Sequence, residues 1–143
     1  MASESTATTV WEGDLATGRG TTSAASGAVP DLEVTWAART DRTPGTTSPE
    51  ELLAAAHASC YCMALSHELG ESGNAPERLE ATSTVSFIPG EGVKSSRIVV
   101  RGRVPGIDQA GFEEAARNAD QNCPISSALR GNVDLRVEAT LES

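Results

Sequence analysis

The feature that most constrains the fold is an alanine-rich segment between Pro49 and Leu69. Ser48 or Thr47 can cap its start, Pro49 suits a first helical turn, and Gly70 follows its end, so the segment predicts a helix. Its small side chains leave few bulky groups on any side, and neighbouring elements can therefore approach it closely from several directions. We expect this helix to lie centrally in the fold.

The rest of the chain predicts short strands and two further helices. A hairpin is expected over residues 10–24 and a strand over 32–36, followed by a loop over 40–47. Residues 79–87, 98–104 and 133–141 alternate between apolar and polar side chains, as half-buried strands do. Asp108 can cap a helix that reaches about Gln121, and a short helix is expected from Cys123 to Leu129.

The strands come in hairpins rather than alternating with helices, which predicts an α+β fold with antiparallel sheet. A single sheet leaves a central helix half covered, so we expect dimerisation around that helix. The 143 residues predict one domain, 1–143, in which residues 1–8 form a small, polar, flexible tail.

Charge and hydropathy exclude two kinds of partner. The net charge of −9 argues against nucleic acid, because phosphate binding needs clustered cations. No apolar run approaches the length that spans a bilayer, and the N-terminus lacks the basic start and apolar stretch of a secretory signal. We therefore expect no membrane partner and a cytoplasmic location.

Three cysteines are too few for a disulfide-stapled secreted scaffold. Cys60 lies inside the alanine-rich helix, and Cys62 lies about 200° further around it, so the two thiols cannot line one site. Cys62 is therefore interpreted as a packing residue. For Cys60 itself, burial as a small hydrophobe remains the alternative to a reactive thiol.

Cys123 precedes Pro124 at the expected start of the short helix. Unpaired N–H groups and the helix dipole at such a position lower the pKa of a thiol and favour its thiolate. A capping or simply buried cysteine is the alternative interpretation of Cys123.

A reactive Cys60 needs a nearby cation, because it lies several residues inside its helix. Arg39 is the best candidate before the helix, and Glu50 could hold its guanidinium in place. Ten positions separate Glu50 from Cys60, or about 280° of helical rotation, so Arg39 would have to bridge the gap. Otherwise Arg39 is an exposed charge and Glu50 a first-turn acid.

A metal site is a competing interpretation, because His57, Cys60, Cys62 and His67 cluster in the sequence. No second ligand pair with zinc-like spacing accompanies them, so no metal is expected. Neither histidine is assigned a catalytic role. His57 lies one turn before Cys60 and is expected to pack or to meet solvent.

Several motifs together resemble the OsmC/Ohr family. Their sequences are PEELLAAAHASC at 49–60, NCPIS at 122–126, WEGDL at 11–15 and VPGID at 104–108. The last two point to the OsmC branch, and the resemblance covers residues 9–142. It implies an intertwined homodimer of OsmC-like domains, in which antiparallel β-sheets wrap around central helices and both active sites lie at the subunit interface.

The resemblance also implies which residues act. Cys60 matches the peroxidatic thiol and Cys123 the resolving thiol. Arg39 matches the arginine that stabilises the thiolate, with Arg42 as the alternative match, and Glu50 matches the carboxylate that positions the arginine. No cofactor is implied.

The implied activity is thiol-dependent reduction of organic hydroperoxides, with hydrogen peroxide as a further substrate. A Cys60 sulfenic acid would condense with Cys123 to a disulfide, which a lipoyl-type or other dithiol would reduce. An apolar pocket lined by residues such as Leu53, Met63 and Ile125 would favour a fatty-acyl hydroperoxide. The alternative function is a non-catalytic dimer of the same fold that binds an apolar ligand.

Overall fold

A computed structural model describes residues 1–142 and divides the chain into two compact units, Met1–Leu52 and Leu53–Ser143. The interpretation of 1–143 as one domain stays a prediction. Each unit has its own three-stranded sheet, with strand order β1-β2-β3 in the first and β4-β5-β6 in the second.

The sheet of the first unit contains the predicted hairpin, which is confirmed. Strands β1 (Ala7–Glu12) and β2 (Arg19–Ala24) pair antiparallel, and β3 (Leu32–Val34) pairs antiparallel with β2. The first strand takes in Ala7 and Thr8, two residues that the sequence analysis placed in the flexible tail.

A short helix, α1 (Trp36–Asp41), occupies residues that we expected to end a strand and begin a loop. The expectation of a strand through Trp36 was wrong because Thr35 acts as a helix cap: its side-chain oxygen accepts a hydrogen bond from the N–H of Ala38 at 3.0 Å. Apolar and polar residues alternate over only a few positions here, which is too short a pattern to separate a strand from a helix start.

The alanine-rich helix is confirmed as α2 (Pro49–Glu71). Ser48 caps it, since its hydroxyl oxygen accepts from the N–H of Glu51 at 3.1 Å. Gly70 lies within the last turn, and the chain leaves the helix at Gly73, whose φ of 82° is a left-handed conformation that glycine adopts without steric cost.

The sheet of the second unit has one feature that the sequence analysis got wrong. Strands β4 (Arg78–Ile88) and β5 (Gly92–Arg103) form the expected antiparallel hairpin, but β6 (Asp134–Glu142) pairs parallel with β5. The cause lies in the connection: α3 (Gln109–Asn122) and α4 (Pro124–Leu129) carry the chain back before β6 begins, as a parallel crossover requires.

Both helices of this connection start as predicted. Asp108 caps α3 by accepting from the N–H of Gly111 at 2.8 Å, and Cys123 stands at the N-cap of α4 with Pro124 at the first helical position.

The core of the second unit is formed by β5, by one face of α2 and by α3. Its buried members on α2 recur four residues apart, as one helix face requires. The cluster comprises Tyr61, Leu65, Leu69, Ile98, Val100, Val104, Phe112, Ala119 and Cys123. Within the same unit, Met63, Ser66 and His67 are exposed, so the α2 face that carries them is not covered by the core.

Substitution of Phe112 tests the contribution of this core to stability. Its ring packs so closely on the β5 backbone that a methyl group added at Gly102 would come within 2.6 Å of it. We expect Phe112→Ala to lower the free energy of unfolding by about 3–5 kcal/mol, through lost burial and a residual cavity. Urea denaturation measures the change. Arg117→Ala, at an exposed position on the same helix, is the control and should change stability by no more than about 0.5 kcal/mol.

Candidate active site

The structure brings the thiols of Cys60 and Cys123 together within the second unit. Cys60 is half-buried on α2, and Cys123 is fully buried at the start of α4. The Cys60 thiol lies beside the Cys123 side chain, and the backbone N–H of Ile125 donates to it. Two sulfur atoms and one amide therefore form a compact group.

The amide at the start of α4 serves a different thiol from the one we expected. The unpaired N–H groups of this helix were expected to stabilise the Cys123 thiolate, but the Cys123 side chain makes no capping hydrogen bond. The N–H of Ile125 instead donates to Cys60. Stabilisation of a thiolate by a helix-terminal amide is therefore available to the cysteine on the long helix.

The surroundings of Cys60 within this unit favour the protonated thiol. Burial raises the pKa of Cys60, and the adjacent Cys123 side chain raises it further. The Ile125 N–H acts in the opposite direction, because it stabilises the thiolate, but it does not outweigh burial. A peroxidatic role for Cys60 therefore calls for an additional positive charge.

The influence of Cys123 on this pKa can be tested directly. We expect Cys123→Ala to move the pH midpoint for alkylation of Cys60 to lower pH, because it removes a neighbour that raises the Cys60 pKa. Peptide mass mapping after iodoacetamide pulses across pH measures the midpoint. Cys62→Ala is the control and should leave it in place. A midpoint that moves to higher pH in Cys123→Ala would contradict the arrangement.

Cys62 belongs to a different part of the second unit. Burial raises the pKa of its thiol, and a hydrogen bond from the backbone N–H of Ala81 only partly offsets this. With Met63 and Leu79 it lines a surface cavity of about 570 Å³. Met63 was expected beside Ile125 in an apolar pocket, but it is 73% exposed and opens onto this cavity, of which Ile125 is not part.

Arg39 and Glu50 form the predicted ion pair within the first unit. The Nε and Nη2 atoms of Arg39 donate to Oε1 and Oε2 of Glu50, both at 2.9 Å. The guanidinium also lies over the ring of Trp36, 5.7 Å from its centroid. Glu50 is only 8% exposed, so this two-point pairing satisfies a carboxylate that would be costly to bury alone.

The geometry also distinguishes Arg39 from Arg42, the alternative candidate for the arginine of the site. Arg42 ends α1 in a left-handed conformation, with φ of 53°, and is exposed. Arg39 lies in the last turn of the helix and is the arginine that Glu50 holds. Of the two candidates, Arg39 has the fixed guanidinium.

A buried polar network, which the sequence did not predict, surrounds His57. Nδ1 of His57 lies 2.6 Å from the hydroxyl of Ser96, and Nε2 lies 2.8 Å from the hydroxyl of Ser126. Ser96 is in turn 3.0 Å from the hydroxyl of Ser83. The sequence offered two signals for this network. His57 lies one turn before Cys60, and Ser126 lies three residues after Cys123.

The two histidines considered as metal ligands lie in different surroundings. His57 is 1% exposed and has both ring nitrogens bonded to serines, whereas His67 is exposed. Among residues 1–142, no group of three or more His, Cys, Asp or Glu side chains is placed to hold a metal ion.

In that same part of the chain, no helix combines the length and apolar character needed to cross a membrane.

Known proteins share the sequence pattern of this chain. The profile of the family described as OsmC-like protein matches residues 41–138. Peroxiredoxin OsmC of Escherichia coli (strain K12) is 38% identical over 128 residues, which cover 87% of this chain and 89% of that protein. An organic hydroperoxide resistance protein of Xanthomonas axonopodis pv. citri (strain 306) is 32% identical over 90 residues, 62% of this chain and 63% of that protein.

Solved structures share the fold. An organic hydroperoxide resistance protein OsmC from Legionella pneumophila superposes with a TM-score of 0.72 at 27% identity, over 94% of this chain and 96% of that chain. The organic hydroperoxide resistance protein OhrB of Bacillus subtilis gives a TM-score of 0.69 at 28% identity, over 94% and 98%. The α+β fold of this chain is therefore the one that these proteins adopt.

Proposed function

We propose that this chain, which belongs to the OsmC-like protein family, is a thiol-dependent peroxidase that reduces organic hydroperoxides to alcohols. Relatives named as a peroxiredoxin and as organic hydroperoxide resistance proteins support a peroxide-reducing activity in general. The observation that carries the proposal is the contact between the Cys60 and Cys123 thiols beside the Ile125 amide.

The proposed chemistry has two steps on the protein. The Cys60 thiolate attacks the distal peroxide oxygen, the O–O bond breaks, and the alkoxide leaves as an alcohol after taking a proton. Cys60 is then a sulfenic acid. The Cys123 sulfur attacks it, the S–O bond breaks, a disulfide forms, and water leaves with the thiol proton. An external dithiol returns both cysteines to thiols by exchange.

Arg39 is proposed as the cation that stabilises the Cys60 thiolate. Burial and Cys123 both raise the pKa of Cys60, so a positive charge is what the nucleophile lacks. The Arg39 guanidinium is a cation, and its two bonds to Glu50 hold it in one orientation. In this proposal Glu50 positions Arg39 and does not itself contact peroxide.

The remaining parts of the proposal concern partners. We propose a homodimer, in which a second copy covers the α2 face that carries exposed Met63, Ser66 and His67. The reductant is proposed to be a lipoyl-type or other dithiol. Hydrogen peroxide is proposed as a further substrate.

The experiment that tests the function is thiol counting after one equivalent of cumene hydroperoxide. We expect two thiols per chain to disappear and mass mapping to find a peptide cross-link between Cys60 and Cys123. Cys62 should stay alkylatable throughout. If Cys60 and Cys123 stayed reduced over minutes, a non-catalytic, ligand-binding dimer would be the better account.

A further inference from the structure

The network around His57 joins three elements of the second unit at its core. His57 lies on α2, Ser96 on β5 and Ser126 on α4, and their side chains are 0–1% exposed. Ser83 on β4 extends the network to a second strand. An apolar side chain could fill the same space without any polar group to satisfy. Since burying unpaired polar groups is costly, every hydrogen bond in this network constrains where its elements lie.

The bond from His57 to Ser126 reaches the short segment that contacts Cys60. Ser126 directly follows Ile125, whose N–H donates to the Cys60 thiol, and lies one helical turn after Cys123. His57 lies one turn before Cys60 on α2. A single 2.8 Å bond therefore ties the turn that carries the second thiol to the turn that carries the first.

A second contact anchors the same segment from its other side. The Nδ2 atom of Asn122, immediately before Cys123, donates to Oε1 of Glu68 on α2 at 2.8 Å. This bond is exposed to solvent, whereas the bond to His57 is buried and hence the stronger restraint. Cys123 lies between these two anchors, and both attach to the helix that carries Cys60.

We propose that His57 is a positioning residue that, through Ser126, holds the start of α4 against Cys60 and so raises the effective concentration of the two thiols for disulfide formation. The use of that disulfide rests on the function proposed above. Neutral imidazole suits this role, because one ring nitrogen donates and the other accepts. Burial lowers the pKa of His57, which favours this neutral form, while the Asp120 carboxylate acts in the opposite direction.

The test measures the Cys60–Cys123 disulfide at equilibrium in buffers of oxidised and reduced dithiothreitol, without peroxide. Acid quench, alkylation and mass mapping give the disulfide fraction, and hence the effective concentration. We expect Ser126→Ala to lower it about 10- to 100-fold, because small misplacements of reacting groups have effects of that size. His57→Gln should lower it too. The effective concentration in the double variant should fall no further than in His57→Gln alone, because both substitutions break the same hydrogen bond between His57 and Ser126.

Ser83→Ala is the matched control. It removes a hydroxyl from the same network, but one whose hydrogen bond reaches β5 rather than α4. Its effective concentration should match the wild type even if its stability in urea falls. Equal effective concentrations in Ser83→Ala, Ser126→Ala and the wild type would overturn the proposal and leave the network a purely structural role. Should His57→Gln fail to fold, the comparison of Ser126→Ala with Ser83→Ala still decides.

Failure of this inference can be distinguished from failure of the proposed function. A wild-type disulfide that forms in dithiothreitol buffers and weakens in Ser126→Ala supports positioning, even if hydroperoxide oxidises neither thiol. In that case only the peroxidase proposal fails. A wild-type chain that forms no Cys60–Cys123 disulfide in any redox buffer would overturn the positioning role.

Discussion

Replacing Cys60 with serine is expected to lower the rate of cumene hydroperoxide reduction by about 1000-fold or more. A serine hydroxyl at neutral pH is a far weaker nucleophile than a thiolate, and it cannot form the sulfenic acid on which the proposed cycle depends. The rate of hydroperoxide loss, followed with excess dithiol, measures this directly. Full activity in Cys60→Ser would show that the peroxidatic residue lies elsewhere.

Cys123→Ser separates the two thiol roles. Without added reductant, this variant should still consume about one equivalent of hydroperoxide, because Cys60 keeps the Ile125 amide as a hydrogen-bond donor. The product should be a sulfenic acid that dimedone traps, with no disulfide. Cys62→Ser is the matched control, two positions from Cys60, and should retain both the rate and the disulfide.

Replacing Arg39 with methionine is expected to give the second-largest loss. An opposite charge close to a thiol lowers its pKa by about 1–3 units, so its removal should slow oxidation of Cys60 at pH 7 by about 10- to 1000-fold. The deficit should shrink as pH rises, because hydroxide then generates the thiolate without help from the guanidinium. Stopped-flow oxidation across pH measures the effect.

Arg42→Met is the control for this prediction, since Arg42 lies three residues further along and is exposed. It should oxidise like the wild type. Arg39→Met leaves Glu50 buried without its partner and is expected to lose stability as well. Arg39→Lys keeps the charge and should recover part of the rate. A deficit in Arg42→Met instead would transfer the proposed role to that arginine.

Local patterns in the sequence predicted much of the fold. The cap at Ser48 and the run of small residues located α2, and alternation of apolar and polar side chains located β4, β5 and β6. Asp108 and Cys123 marked the starts of α3 and α4. These predictions succeeded because caps, turns and amphipathic periodicity act between residues only a few positions apart.

The candidate site was predictable only in part. Cys60 and Cys123 could be selected by their local sequences, whereas Arg39 and Glu50 were matched to the site by the family resemblance. The structure pairs the two thiols and the two charges within their own units. Their roles remain the proposals above. The short helix α1 escaped prediction because its cap, Thr35, follows three residues that belong to a strand.

The sequence by itself determined where α2, α3, α4 and most of the strands lie, and which thiols are candidates for chemistry. Tertiary structure alone decided that β6 runs parallel to β5, that the Ile125 amide serves Cys60, and that His57 binds two serines. The physical reason is distance along the chain. His57 meets its partners 39 and 69 positions away, and such contacts arise from how packed elements meet, which no pattern of neighbouring residues encodes.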